Sequence, residues 1–128
     1  MKILVMGGTR FVGKSMVGKL LKQHHDIDIF TRGNKSNPKK TKLIKGDRNS
    51  SEDIVRLRNK KYDVVYDISG RELEQTKLLI GNLDNSFQRY IYVSSAGVYK
   101  DNCELPISEV DPIDPYSRHK GKFETENW

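Results

Sequence analysis

The chain has 128 residues, enough for one domain with a sizeable core but short for a complete nucleotide-dependent enzyme. It carries 23 lysine and arginine residues against 17 acidic ones, a formal charge of +6, which is typical of a solvated lysine-rich surface or of a polyanion-binding face. A single cysteine excludes an internal disulfide, and no apolar run forms a signal peptide or reaches the ~18 residues of a membrane-spanning helix. We therefore expect a cytoplasmic protein that does not enter a membrane.

The histidine and cysteine residues do not have the spacing of a metal site. His24 and His25 precede a predicted strand in what should be a surface turn. His119 and Cys103 have no second ligand residue at the sequence spacing typical of a metal site. We predict no bound metal.

The stretch from residue 7 to residue 13, Gly-Gly-Thr-Arg-Phe-Val-Gly, joins a predicted strand to a predicted helix. An apolar run precedes it, and apolar residues recur at helical spacing after it. Gly7 and Gly13 let the chain turn tightly and let the start of the helix lie close to the strand, while the N–H groups of the first helical turn stay free. Such a turn suits a pyrophosphate.

Residues 26–30 alternate polar and apolar side chains and end at Thr-Arg-Gly-Asn, which predicts a second strand followed by a turn. In dinucleotide-binding folds a carboxylate at this strand end binds the adenosine ribose, whereas a guanidinium binds a 2′-phosphate. The sequence places Arg32 here, and Arg10 in the glycine turn could reach the same phosphate. The two arginines favour NADP over NAD; the alternative for each is an ordinary exposed arginine.

Two further predicted strands end in carboxylates. Residues 42–45 lead into Asp47, ahead of a predicted helix cap at residues 50–53, and residues 62–68 form a largely apolar fourth strand ahead of a helix over 73–83. At the ligand edge of a parallel sheet, Asp47 could accept a hydrogen bond from the adenine amino group. Asp67 leaves two interpretations open: it serves the site, or nearby backbone N–H groups satisfy it.

The fifth predicted strand, residues 89–94, delivers Ser95 to the same edge of the sheet as the glycine turn. The loop from residue 100 to 115 carries three of the four prolines and suits a lid or a substrate-facing loop. On a helix, Tyr116 and Lys120 lie one turn apart, so the ammonium group can favour the ionised phenol. That pair also occurs by chance in many helices, and its alternative is a surface pair.

Together these motifs resemble the extended short-chain dehydrogenase/reductase family, the NAD(P)-dependent epimerases and dehydratases that act mostly on nucleotide sugars. The family's glycine turn matches residues 7–13, its strand-end aspartate matches Asp47, its S-S-x-x-V-Y segment matches residues 94–99, and its P-Y-x-x-x-K segment matches residues 115–120. The resemblance implies an α/β fold, a doubly wound Rossmann-type parallel sheet of about five strands in the order 3-2-1-4-5 with flanking helices. It also implies that residues 1–128 are the N-terminal cofactor-binding part of a longer chain whose substrate domain follows.

The resemblance implies an oxidoreductase or epimerase that transfers a hydride at a hydroxyl or carbonyl group of a nucleotide sugar. Tyr116 would be the acid/base, Lys120 would lower the pKa of the tyrosine and hold the nicotinamide ribose, and Ser95 would hydrogen-bond the reacting oxygen. The cofactor would be NADP, with NAD as the alternative, and the resemblance also admits a homodimer. The cofactor contacts that it implies come from Gly7, Thr9, Arg10, Phe11, Val12, Gly13, Arg32, Asp47, Arg48 and Ser69.

Departures from the family pattern point to a subgroup. Arg10 replaces the middle glycine, no acidic residue follows the second strand, and Asp67-Ile68-Ser69-Gly70 stands where an apolar, alanine-containing run is typical. The glycine turn, the Phe-Thr-Arg-Gly segment and the Ser-Arg-His-Lys-Gly-Lys run look like those of bacterial relatives of the chloroplast stem-loop-binding proteins, some of which bind RNA. The alternatives to an enzyme are therefore an RNA-binding protein on this fold and a cofactor-binding protein without catalysis. The sequence lacks the aromatic-basic interleaving of sheet-surface RNA readers, which favours the enzyme.

Overall fold

The computed structural model describes residues 1–83, 87–100 and 105–114. The strands in this part of the chain are β1 Lys2–Met6, β2 Asp26–Thr31, β3 Lys42–Lys45, β4 Val64–Asp67 and β5 Arg89–Tyr92. The helices are α1 Phe11–Lys22, α2 Ser51–Ile54, which continues as a 3-10 turn over Val55–Leu57, and α3 Leu73–Asn82. All neighbouring strands pair in parallel, in the order β3-β2-β1-β4-β5, so the predicted doubly wound sheet is confirmed.

Both faces of the sheet are covered, because parallel strands are connected by helical crossovers that pack on the sheet. One apolar core joins the sheet to the chain that follows β3 and β4, and it contains Leu4, Met6, Phe30, Ile44, Ile54, Leu57, Tyr62, Val65, Leu79 and Leu83. The other joins the sheet to α1, and it contains Ile3, Val5, Val17, Leu20, Ile27, Ile29 and Val64. Because the strands are parallel, their carboxyl ends and the loops that follow them lie at the same end of the sheet.

Strand β2 is more deeply buried than its alternating sequence indicates. Alternation normally marks one solvated face, yet residues 27–30 are all buried and Asp28 is only 1% exposed. The Asp28 carboxylate accepts a hydrogen bond of 2.9 Å from the Tyr62 hydroxyl. Burial, together with the negative charge of Asp28, raises the pKa of Tyr62, so the phenol remains a hydrogen-bond donor.

The sequence around Ser50 forms the predicted helix cap. The Ser50 hydroxyl accepts a hydrogen bond of 3.3 Å from the N–H group of Asp53, and Glu52 and Asp53 place negative charge in the first turn of α2. The regular helix is only four residues long before the 3-10 turn begins. The predicted helix after β4 is confirmed as α3.

The described residues form two compact units. The larger contains Met1–Gly70 and Glu74–Val93, and the smaller contains Arg71–Leu73 and the described residues from 94 on. In the smaller unit a 3-10 helix spans Ala96–Val98, and Tyr99 and Ile113 form an isolated antiparallel bridge. The Lys100 N–H group donates to the Pro112 carbonyl at 3.0 Å, and the Asp114 N–H group donates to the Val98 carbonyl at 2.8 Å. Backbone hydrogen bonds therefore connect the start of the loop predicted from residue 100 onward to residues 112–114 near its end.

None of the helices in residues 1–83, 87–100 and 105–114 combines the length and apolar character that crossing a lipid bilayer requires.

Candidate functional site

The glycine turn after β1 has a backbone that only glycine adopts without strain. Gly7 and Gly8 have φ angles of 101° and 92°, in a region that side chains with a Cβ rarely enter. A Cβ on Gly13 would lie 2.8 Å from the Gly8 Cα, so the start of α1 packs directly against the turn. The Gly7 N–H group donates to the Phe30 carbonyl at 2.9 Å, which anchors the turn to the end of β2. The strand, turn and helix predicted for residues 3–21 are all present.

The N-terminus of α1 has no side-chain cap. Arg10 occupies the cap position with an extended backbone, makes no side-chain cap hydrogen bond, and no acidic residue lies in the first turn. Phe11, with a φ angle of 40°, is 89% exposed, and Val12 beside it is also exposed. An uncapped helix start presents N–H groups and the positive end of the helix dipole, which together favour an anion. The geometry of the turn therefore fits the pyrophosphate of a dinucleotide.

A cleft opens between the carboxyl ends of β2 and β3, and we call it the β2–β3 cleft. Its volume is ≈ 320 Å³, and it is lined by Arg32, Lys45, Gly46, Asp47, Asp53 and Arg56. Two of the predicted adenosine-side residues, Arg32 and Asp47, thus lie at one cleft. A Cβ on Gly46 would lie 2.6 Å from the Phe30 ring, so only glycine fits at the floor of this cleft without displacing the core.

The Asp47 carboxylate is partly engaged. Its Oδ1 atom accepts hydrogen bonds from the Asn49 N–H group at 2.9 Å and from the Asn49 side-chain amide at 3.0 Å. The Asp47 N–H group donates to Asp53 Oδ2 at 2.9 Å. These bonds fix the orientation of the carboxylate, and Oδ2 has no partner within the described part of the chain, so it is available to a donor such as an adenine amino group.

Arg48 forms a bidentate ion pair with Asp67 across the carboxyl edge of the sheet. The Nη1 and Nη2 atoms of Arg48 lie 2.7 and 2.9 Å from the two carboxylate oxygens of Asp67. Nη1 also donates to the Ser69 hydroxyl at 2.9 Å. The side chains are 11% and 0% exposed, so the pair is buried. A Cβ on Gly7 would lie 3.4 Å from the Ser69 Cβ, which places Ser69 directly against the glycine turn.

Asp67 receives two more hydrogen bonds. The Tyr90 hydroxyl donates to Oδ2 at 2.6 Å, and the Gly70 N–H group donates to Oδ1 at 2.9 Å. The carboxylate is therefore satisfied by an arginine and a tyrosine as well as by backbone. From the sequence, Asp67 is expected either to serve the site or to be satisfied by backbone N–H groups. The pairing with Arg48 and Tyr90 is not predicted, because no sequence pattern connects these three positions.

The charges of this network follow from burial and from pairing. Burial alone would raise the pKa of Asp67, but the Arg48 guanidinium and the hydrogen bonds from Tyr90 and Gly70 outweigh it and lower that pKa. Burial alone would lower the pKa of Arg48, because it disfavours the charged guanidinium. The hydrogen bond to Asp67 and the negative charge of Asp67 outweigh this effect and raise the pKa of Arg48. Burial and the charge of Asp67 both raise the pKa of Tyr90. At neutral pH the network is an ion pair with a neutral phenol donor.

The three predicted catalytic residues differ in what the structure says of them. Ser95 lies in the smaller unit, where its backbone is extended and its hydroxyl accepts a hydrogen bond of 3.2 Å from the Gly97 N–H group at the start of the 3-10 helix. Tyr116 and Lys120 lie outside the described residues. Their catalytic roles stay predictions, as do the cofactor contacts of the ten residues named above.

Comparison with known proteins gives the family. Residues 7–126, which include the glycine turn, match the family model described as NAD(P)H-binding. This chain belongs to that family. The match covers both forms of the cofactor, so it supports the predicted nicotinamide dinucleotide and does not distinguish NADP from NAD.

Individual relatives agree with the motifs. A protein of Arabidopsis thaliana named chloroplast stem-loop binding protein of 41 kDa b is 43% identical over 98% of this chain and 37% of its own length. The UDP-glucose 4-epimerase of Lactobacillus helveticus is 28% identical over 97% of this chain and 45% of its own length. The resemblance to the epimerase/dehydratase family, and to the stem-loop-binding subgroup within it, is confirmed.

A solved structure shows the same fold. The UDP-glucose 4-epimerase of Stenotrophomonas maltophila with bound NAD and formylated UDP-arabinopyranose superposes with a TM-score of 0.78 at 17% identity, over 98% of this chain and 46% of that one. The chain therefore spans less than half the length of each of these three proteins.

The Asp67→Asn variant tests the buried ion pair. It removes the charge that balances Arg48, and breaking a buried pair typically costs about 3 kcal/mol or more of unfolding free energy. Because the folded pKa of Asp67 lies below its ordinary value of 3.8, the carboxylate stabilises the fold fully above that pH and loses its contribution as the pH falls through the folded pKa. The difference between the variant and the unchanged protein, measured by urea unfolding, should shrink below pH 3.8.

Glu74→Gln is the matched control. It removes one carboxylate from the exposed Lys77–Glu74 pair, whose partners are 58% and 82% exposed, and such surface pairs contribute at most about 1 kcal/mol. A loss at Asp67 no larger than that at Glu74, or a loss that stays constant on acidification, would contradict a buried ionised pair.

Proposed function

We propose that this chain is the N-terminal, cofactor-binding part of an NADP(H)-dependent oxidoreductase or epimerase that acts on a hydroxyl or carbonyl group of a nucleotide sugar. The observation that carries the proposal is the glycine turn. Gly7 and Gly8 have positive φ angles, Gly13 packs against Gly8, and the helix that follows starts without a side-chain cap. The family match and the Tyr-x-x-x-Lys motif add the class of chemistry. We also propose a cytoplasmic location.

In the proposed mechanism the chain supplies binding, orientation and a proton. The N–H groups at the start of α1 would hold the pyrophosphate of a bound dinucleotide, and Asp47 would accept a hydrogen bond from its adenine amino group. Tyr116 gives a proton to the substrate oxygen or takes one from it, with Lys120 one helical turn away to stabilise the phenolate. Ser95 donates a hydrogen bond to the same oxygen. A bound nicotinamide would supply the hydride transfer, as acceptor or as donor.

Three observations support a nucleotide sugar as the substrate class. One relative of the chain is named for UDP-glucose, and a structure of the same fold holds a UDP-sugar beside NAD. The charge of the chain, +6, suits a substrate with a diphosphate. The residues that select the sugar would belong to the part of the protein beyond this chain.

NADP is favoured by the residues at the carboxyl end of β2. Thr31 ends the strand and the exposed Arg32 follows it, so the carboxylate that binds the ribose hydroxyls in NAD-binding folds is missing here. Arg32 lines the β2–β3 cleft. Arg10 is also exposed, at the N-cap of α1, and would approach the same phosphate from the glycine turn.

Tyr116→Phe tests the catalytic assignment in the full-length protein. Removing the hydroxyl should abolish conversion of UDP-glucose, with a loss of at least ~100-fold because general acid–base catalysis contributes about that much or more. Binding of NADP, measured by calorimetry, should not change. Unchanged turnover would contradict the role of Tyr116, and an unchanged protein that converts no UDP-sugar would contradict the substrate class.

Arg32→Gln tests the cofactor preference. Calorimetry on the unchanged full-length protein should show tighter binding of NADP than of NAD, and the variant should lose about 10- to 100-fold in NADP affinity, the effect of one charge-assisted hydrogen bond. The affinity for NAD should stay the same. Arg89→Gln is the control, because Arg89 begins β5 at the opposite edge of the sheet. A preference for NAD in the unchanged protein would overturn the assignment of Arg32.

A second candidate function is favoured by one relative. The Arabidopsis protein that is 43% identical to the chain is named for binding a stem-loop, and the excess of positive charge in this chain suits a nucleic acid. We propose RNA binding as the alternative, on the same fold and without use of Tyr116 in catalysis.

The alternative predicts binding of an RNA hairpin whose affinity depends steeply on salt. Three or more phosphate contacts should reduce the affinity at least about tenfold between ~50 and ~200 mM salt, because each contact releases counterions. Fluorescence anisotropy with a hairpin, and with an unpaired RNA of the same composition as the control, measures this. Binding too weak to detect at the lower salt concentration would remove RNA as a partner.

A further inference from the structure

The β2–β3 cleft contains more positive charge than the sequence motifs assign to it. Three cationic side chains, those of Arg32, Lys45 and Arg56, line the cleft together with two carboxylates. Only Arg32 follows from the position after β2 that governs the choice of cofactor. Lys45 is the last residue of β3, a place to which no motif draws attention.

Arg56 is already committed to the protein. Its Nη1 atom donates to the Lys45 carbonyl at 2.6 Å and lies 3.3 Å from Asp53 Oδ1. The other carboxylate oxygen of Asp53 accepts the Asp47 N–H group. Arg56 therefore stabilises the end of β3 and balances the charge of Asp53, so its positive charge is already paired within the protein.

Arg32 and Lys45 differ from Arg56 in this respect. Neither charged group has a hydrogen-bond or ion-pair partner among residues 1–83, 87–100 and 105–114. Both side chains line the same cleft. Because Arg56 offsets Asp53, the two unpaired cations and the Asp47 carboxylate leave the cleft with a net positive charge, which attracts an anion.

The backbone holds Lys45 next to the turn that carries Arg32. Gly33 has a φ angle of 77°, and a Cβ on it would lie 3.3 to 3.4 Å from the Cγ, Cδ and Cε atoms of Lys45. The lysine stem therefore packs under the turn that directly follows Arg32. Thr31 pairs with Lys45 in the sheet register, and the Gly46 N–H group donates to the Thr31 carbonyl at 3.0 Å. The two cations are thus carried by neighbouring, hydrogen-bonded segments.

We propose that Lys45 and Arg32 together bind the 2′-phosphate of the adenosine in NADP(H), with Lys45 as a residue that determines cofactor specificity. This inference rests on the proposed function. A phosphate monoester carries about −1.5 to −2 charges at neutral pH, which one cation cannot balance. The planar guanidinium of Arg32 offers two parallel donors, and the ammonium group of Lys45 offers a compact charge beside them.

The test compares two ligands that differ only in the 2′-phosphate, namely 2′,5′-ADP and 5′-AMP, by calorimetry on the full-length protein. Lys45→Met should lower the affinity for 2′,5′-ADP about 10- to 100-fold, the effect of losing one charge-assisted contact, and should leave the affinity for 5′-AMP unchanged. Lys45→Arg should retain most of the preference because the charge remains. Lys42→Met is the matched control, since Lys42 begins the same strand, is exposed and does not line the cleft.

The outcomes separate this inference from the proposed function. If the unchanged protein prefers 2′,5′-ADP and Lys45→Met keeps that preference, Lys45 has no role and the two arginines, Arg32 and Arg10, account for the preference for NADP. If Lys45→Met weakens both ligands equally, the lysine contacts a group that they share, and the 2′-phosphate assignment is wrong. If the unchanged protein binds both equally, the NADP preference itself falls, while the loss of turnover in Tyr116→Phe still reports on the chemistry. If Lys45→Met does not fold, Lys45→Gln removes the same charge with a polar stem, and an unchanged preference for 2′,5′-ADP in that variant would overturn the proposal.

Discussion

The buried pair of Arg48 and Asp67 determines the shape of the candidate site. Arg48 follows β3 and Asp67 ends β4, and β2 and β1 lie between these two strands in the sheet. The guanidinium therefore bridges the carboxyl edge of the sheet and ties the loop after β3 to the loop after β4. The guanidinium also donates to Ser69, which packs against Gly7 of the glycine turn. Because Asp67 ends a core strand and its donor Tyr90 packs against the core, the pair gives this end of the sheet a defined geometry before any ligand arrives.

The network also explains a departure from the family pattern. An apolar, alanine-containing run at the end of the fourth strand has no need of a partner, whereas Asp67 in the same place is 0% exposed and requires one. Arg48, Tyr90 and the Gly70 N–H group supply it. The polar residues at positions 48, 67 and 90 thus depend on one another, and an apolar replacement at one position would leave an uncompensated group at another.

The sequence predicted the order of elements and the glycine turn, because both depend on local patterns: apolar periodicity, a cap at Ser50, and glycines at residues 7 and 13. It also led to the strand order, through the resemblance to a family. It did not predict the Arg48–Asp67 pair or the contact between Asp28 and Tyr62, since these join residues 19 and 34 positions apart. Lys45 escaped notice for a related reason. A lysine at the end of an exposed strand looks ordinary until the turn that packs on its stem is known.

Strand β3 forms an outer edge of the sheet as far as the structure describes it. Exposed strand edges with apolar residues are templates for aggregation, and charged side chains along them are a common protection. Here Leu43 and Ile44 lie between Lys42 and Lys45, so any second strand that paired with this edge would meet two positive charges. The lysine that would give the cleft its selectivity would therefore also protect this edge against pairing with another strand, and replacing it to alter the cofactor preference would remove one of those two charges.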